Sequence, residues 1–275
     1  MSRADRSQYA DSVTAHSRGE LQDVLSVAEP PVCLLGGWAV HIHVTDSFQS
    51  QHGRGYIGSR DIDIGVHVDP GWTPEELDDT PVATTLKRIQ NDLDYDRGRF
   101  GFYQQFHRET GERLDDSEAS DLPPHRIFRV DIDMIPDTAK LDAFEDRFGF
   151  RPPAEPLLEP VFGDTTGDQL ARYVDWDVSD AVRIVPPATL AAMKIRAFPE
   201  RDKSHKRLKD LADLHALLWY VTDYGEIKTA VRELLTQGDR AGFEGAIEED
   251  LYDRTASLIN VDVAVVRQSI ERLFQ

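Results

Sequence analysis

Residues 58–66 read GSRDIDIGV, with Asp61 and Asp63 alternating with Ile62 and Ile64 before Gly65 and Val66. A period of two between apolar and polar residues predicts a strand with one greasy face. Side chains two residues apart share a face, so the two carboxylates stand about 6.5–7 Å apart on the other one. Like charges held that close repel unless a cation lies between them. Alone, the pattern equally describes an exposed amphipathic strand with two solvated aspartates.

Two companions give it weight. Upstream, the apolar run PPVCLL (30–35) meets Gly36-Gly37, and GGWAVHIHV (36–44) reads as a helix. Glycines between a strand and a helix let the backbone approach a phosphate, and the helix start offers free N–H groups. A plain tight turn is the simpler alternative. Downstream, HRIFRVDIDMI (125–135) repeats the alternation and carries Asp131 and Asp133. Neighbouring strands lie about 4.8 Å apart, so one of these joins the first two carboxylates if the strands pair. Three carboxylates make a hard-oxygen set suited to Mg²⁺ and the oxygens of a nucleoside triphosphate.

The rest of the chain sorts into two regions. A first helix is expected over 16–28, a polar Gly-rich loop over 45–58, a helix over 73–93 that Pro81 can break, and a strand over 100–106. Residues 109–124 form an acidic hairpin or loop, and 151–186 are Pro-rich with short strand-like runs such as VRIV. From Pro187 onward the apolar period is helical. The expected fold class is α+β: a mixed sheet flanked by helices over residues 1–186, then a helical region over 187–275.

Composition excludes several classes. No apolar run approaches the roughly 20 residues of a membrane helix, and the N-terminal stretch MSRADRSQYADSVTAHSRGE has no apolar core of a signal peptide. One cysteine, Cys33, leaves no intrachain disulfide and no cysteine-based zinc site, and sits in an apolar strand as a buried thiol. A cytoplasmic location is the expectation. The net charge is −19 with only seven lysines, a balance that suits a salt-rich cytoplasm. Trp38 and Trp219 read as core.

Taken together, GGWAV, GSRDIDIGV and VDIDMIP resemble the nucleotidyltransferase superfamily with the polymerase-β-like catalytic fold. The resemblance implies a Mg²⁺-dependent enzyme that moves a nucleoside monophosphate from an NTP to an acceptor hydroxyl. It implies that Gly36, Gly37 and Ser59 bind triphosphate and that Asp61 and Asp63 bind metal. For the third carboxylate it favours Asp133, followed by Met-Ile-Pro, with Asp131 as the alternative. The stretch from Gly37 to Asp61 is longer than usual, which suggests an insertion over 45–58.

A second resemblance lies in LAAMKIRAFPERDKSHKRLKDLADLHALL (190–218), which looks like the AbiEii branch of toxin nucleotidyltransferases, including the MenT toxins. By that resemblance Lys194, Arg201, Lys209, Asp210 and Asp213 belong to the site. Lys194 and Asp210 would act in catalysis, and Lys194, Lys209 and Asp213 in nucleotide binding. Together the two resemblances cover most of residues 32–218. Residues 194–209 hold seven Lys or Arg against Glu200 and Asp202, in an otherwise acidic chain. Such a patch suits a triphosphate or an RNA end, and a phosphate-facing Lys194 would be dispensable to the fold. A solvated helix laced with ion pairs is the plainer reading, in which Asp210 or Asp213 holds Lys194 or an arginine in place.

Three functions follow. The first is a toxin of a toxin–antitoxin or abortive-infection system that acts on tRNA 3′ ends, with a cognate antitoxin as partner and no membrane. The second is a small-molecule nucleotidyltransferase of the aminoglycoside or lincosamide kind, which GGWAV also resembles. The third is a regulatory or binding protein that keeps the fold without the chemistry.

Overall fold

The computed structural model describes residue 9 and residues 11–163, 167–221 and 223–275. These residues gather into two compact units, each built from more than one stretch of chain. One comprises 11–38 and 58–185; the other contains 39–57 and 186–275. A single cut at 186 therefore misses residues 39–57, which belong with the helices that follow Pro186.

The first unit is a mixed sheet. Its centre is β1 (Val32–Leu35), buried at every position. β2 (Ile62–Val66) pairs antiparallel with β1, placing Leu35 opposite Asp63. On its other side β2 runs parallel to β6 (Ile127–Pro136), with Asp63 opposite Asp133. β4 (Gly101–His107) pairs antiparallel with β6 and carries the short strands β3 (Asp96–Arg97) and β5 (Arg113–Leu114). Beyond β1 lie β8 (Arg183–Ile184) and β7 (Asp168–Gln169), so the order is β3-β4-β6-β2-β1-β8-β7. In β6 burial alternates strictly, with Phe128, Val130, Ile132 and Met134 inside and Arg129, Asp131 and Asp133 half-exposed. The period of two read from the sequence is thus the pleat of a sheet with one packed face.

Helices α1 (Asp11–Val27) and α3 (Pro81–Asn91) pack against each other in this unit. Leu21, Val24 and Leu25 on α1, and Val82, Leu86 and Ile89 on α3, recur at helical spacing and are buried. The expected helix over 73–93 is split. A 3₁₀ turn over Glu76–Asp79 ends at Thr80, whose side chain accepts from the Ala83 N–H, and Pro81 occupies the first turn. Proline suits that position because its missing N–H would have no partner there. The acidic stretch after β5 forms α4 (Asp116–Ser120), capped by Asp115, and the short helices α5 (Asp142–Phe148) and α6 (Glu159–Phe162) follow β6.

Helix α2 (Gly36–His52) corrects the loop expected from residue 45. Polar residues mask its period, but Val40, Val44 and Phe48 recur every four residues and are all fully buried. Burial of that stripe outweighs the modest helix propensity of Thr, Asp and Ser. Gly53, at φ +69°, follows the helix end.

The second unit centres on α8 (Ser204–Tyr220), which packs against α7 (Pro187–Ala197), α9 (Tyr224–Glu233), α11 (Glu249–Ile259) and α12 (Val263–Glu271). Helix α10 (Gln237–Ala246) packs on α7. From Leu208 to Leu218 every residue of α8 is buried. A helix enclosed on all sides has no solvent face for charges, yet Lys209, Asp210, Asp213 and His215 lie on it. Trp219, expected in the core, is 37% exposed, whereas Trp38 is buried.

Candidate active site

In the sheet unit the parallel register of β2 and β6 brings Asp63 and Asp133 side by side. Both are half-exposed, on the face opposite the packed Ile62, Ile64, Ile132 and Met134. Asp61 precedes the first paired residue of β2 and is also half-exposed. Asp131, the alternative third carboxylate, is engaged by its neighbour: Arg129 Nε and Nη2 lie 2.7 and 2.6 Å from its Oδ1. The register sets Asp133, and not Asp131, opposite Asp63.

Gly36 begins α2 directly at the end of β1, with φ +67°. A Cβ there would fall 1.8 Å from Asp63 Oδ2, so the Asp63 carboxylate fills the space that any side chain at 36 would need. Gly37 is buried behind it. The Ser59 hydroxyl donates to the Asp61 carbonyl at 3.0 Å, fixing the turn into β2. In the same unit Ser17 donates to the Arg60 carbonyl at 3.0 Å and accepts from the Trp38 indole at 3.1 Å.

The carboxylates fit a hard divalent cation in donor type, in adjacency and in the cradle that Gly36 leaves for Asp63. Among the described residues, no three His, Cys, Asp or Glu side chains are gathered into a ready ligand cage.

The second unit holds the remaining residues as a buried charge cluster. Lys194 Nζ, on α7, lies 2.7 Å from Asp210 Oδ1 and 2.8 Å from Asp213 Oδ2. Arg201 Nε lies 2.8 Å from Asp210 Oδ2, and Lys209 donates to Asp213 one helical turn away. Tyr56, which nothing local in the sequence singles out, donates its hydroxyl to Asp213 Oδ1 at 2.9 Å across 157 residues. Asp213 is fully buried and Asp210 nearly so.

Burial disfavours the charged form of each of these groups. For Lys194 the Asp210 and Asp213 carboxylates outweigh burial, and its pKa stands above the ordinary lysine value. For Asp210, burial is again outweighed, by Lys194 and Arg201, and its pKa falls below the ordinary value. Lys209 goes the other way: burial wins over Asp213, and Lys194 adds repulsion. Burial and the Asp213 charge raise Tyr56, which therefore stays a protonated donor.

The basic stretch 194–209 is accordingly far less open than its charge suggests. Lys194, Lys209 and Arg201 are committed to Asp210 and Asp213. Arg196 approaches Asp239 and Arg207 pairs with Glu248. Lys203 is the exposed lysine of the run.

Residues 58–268 match the model of the family described as nucleotidyl transferase AbiEii toxin, type IV toxin–antitoxin system. That span is well over half of the chain. The chain belongs to the AbiEii family. The AbiEii match continues past residue 218 into the later helices, further than the sequence resemblance reached, and starts after Gly36-Gly37. No curated protein matches the sequence. A crystal structure of an antigenic nucleotidyltransferase-like protein from Paracoccidioides brasiliensis is a distant neighbour at 14% identity and TM-score 0.35, covering 88% of this chain and 96% of that one. As an AbiEii protein the chain is a nucleotidyltransferase with the expected α+β architecture. No helix among the described residues is long and apolar enough to cross a membrane.

Proposed function

We propose that this AbiEii protein transfers a nucleoside monophosphate from an NTP to the 3′-terminal hydroxyl of tRNA, as a cytoplasmic toxin restrained by a cognate antitoxin. The observation that carries the reading is the Asp63–Asp133 pair beside the positive-φ Gly36 at a helix start. In this reading Asp61, Asp63 and Asp133 hold Mg²⁺. When bound, the ion supplies charge stabilisation at the phosphoryl oxygens.

Gly36, Gly37 and Ser59 bind the triphosphate at the start of α2, where a helix N-terminus favours an anion. In the charge cluster, three cations, Lys194, Arg201 and Lys209, face two carboxylates, Asp210 and Asp213. Asp210 and Asp213 keep Lys194 charged and fixed.

The test is incubation with each α-labelled NTP, Mg²⁺ and purified tRNA, followed by mapping of the label. Label at the tRNA 3′ end, absent with Asp63→Asn, supports the reading. Label only on an added aminoglycoside or lincosamide, or no transfer to any acceptor, refutes it.

A further inference from the structure

The turn between β3 and β4 reads Arg97-Gly98-Arg99-Phe100 and leads into the strand that pairs with β6. Gly101, the next residue, is the register partner of Asp133. A Cβ at Gly101 would fall 2.0 Å from the Ile132 carbonyl oxygen, so the strand backbones meet there too closely for any side chain. The Gly98 N–H closes the turn on the Gly101 carbonyl at 2.9 Å. Paired antiparallel residues stand about 5 Å apart and successive Cα atoms 3.8 Å, which puts Phe100 within about 10 Å of Asp133.

Phe100 is 37% exposed, one of three large apolar side chains exposed among the described residues, with Tyr173 and Trp219. The Arg99 guanidinium lies 4.7 Å over its ring. Arg99 is itself exposed and makes no hydrogen bond or ion pair with any described residue. Arg97 anchors the turn from below, over the rings of Phe102 and Phe150. Two residues along β4, Tyr103 stands opposite Asp131, with the Arg129 guanidinium 3.9 Å over its ring. Tyr103 and Arg129 share the half-exposed face that carries Asp133. Aromatic rings and guanidinium planes on an open sheet face suit stacked bases and a phosphate backbone.

Gly36 follows β1, and β2 and β6, with their aspartates, lie between β1 and β4. In-line displacement at phosphorus sets the attacking hydroxyl and the leaving pyrophosphate on opposite sides. With the triphosphate at Gly36, the hairpin stands on the acceptor's side.

We propose that the Arg97–Phe100 hairpin receives the single-stranded 3′ end of an RNA acceptor, with Phe100 stacked on a base next to the reacting end and Arg99 on an adjacent phosphate. The inference rests on the reading of RNA as acceptor given above. Phe100→Ala and Arg99→Ala should each raise KM for tRNA about tenfold while KM for NTP stays put, and Phe100→Trp should restore it. Anisotropy of a fluorescein-labelled single-stranded oligoribonucleotide, without NTP, should show a matching loss of affinity for both alanine variants. Arg99→Ala should also flatten the salt dependence by about one phosphate contact. Unchanged oligonucleotide affinity in both variants, or a KM shift confined to NTP, overturns the proposal. A wild-type protein that labels no RNA refutes the functional reading instead, and the hairpin is then decided by the anisotropy alone.

Discussion

Asp63 and Asp133 are direct register partners on two parallel strands, and the backbone on either side holds them there. β1 places Leu35 against Asp63, and β4 places Gly101 against Asp133. Neither aspartate can turn from the open face without a register slip that would bring Ile62 and Ile132 out of the core.

Removing one charge from this pair separates a ligand from a structural residue. Asp63→Asn should abolish transfer, since an amide is a poor Mg²⁺ ligand. In EDTA its thermal stability should be equal to wild type or higher by about 1 kcal/mol, the scale of one screened repulsion. The stabilisation that Mg²⁺ plus NTP confers on wild type should shrink. Transfer at near wild-type rate by this variant would remove Asp63 from the metal site.

The register also ranks the two aspartates of β6. Asp133→Asn should lose activity as Asp63→Asn does. Asp131→Asn should retain most of it, because Asp131 is already committed to Arg129. Kinetics of the two single variants decide the matter, and the reverse order would exchange their roles.

Gly36→Ala tests the cradle. A left-handed backbone costs a non-glycine residue about 1–2 kcal/mol, and the new Cβ would displace the Asp63 carboxylate. A shift of that size in a reacting group costs about 100-fold in turnover. A variant that melts a few degrees lower but transfers at the wild-type rate would show that Asp63 does not need its present position.

Lys194→Ala should unfold more readily as well as lose activity. It strands the buried Asp210 and Asp213 carboxylates, and breaking a buried ion pair from one side costs about 3–5 kcal/mol. Urea denaturation measures this. A midpoint equal to wild type would restore the view of Lys194 as a side chain dispensable to the fold.

His215 gives a pH dependence. Its Nδ1 lies 2.7 Å from the Ser269 hydroxyl, and burial, with His52 adding repulsion, depresses its pKa from 6.5 to about 4. The unfolded chain therefore binds the proton first, and stability falls as pH drops from about 6.5 toward 4, then levels. The loss from this group is about 3 kcal/mol at most. Urea midpoints across that range should fall less steeply for His215→Asn than for wild type; equal slopes would clear His215.

The sheet side was legible because its signals are local. The alternation in 60–66 and 127–135 marks both strands and the face that carries each aspartate, and Gly36 sits where β1 meets α2. What the sequence hid were long-range facts. Helix α2 runs on to His52 because Val44 and Phe48 find a core, and no window around polar residues 45–52 contains that core. Asp131 and Asp133 are equivalent in an isolated strand; only pairing with β2 and the reach of Arg129 distinguish them. The basic stretch misled for the same reason. Its charges look surplus along the chain, yet residues such as Asp239 and Glu248 neutralise them from a distance.

Tyr56 and Asp213 are bonded across 157 residues, inside a unit assembled from separate stretches of chain. On a translating ribosome, which adds about 5–20 residues per second, Tyr56 is made roughly eight to thirty seconds before its acceptor. Through that interval residues 39–57 have none of the later helices to pack on, and Phe48 and Tyr56 stay without the partners that bury them. A message cut before the Asp213 codon yields a protein with the whole aspartate-bearing sheet and no charge cluster. The second unit's core therefore closes only after the helices that follow Pro186 have been made.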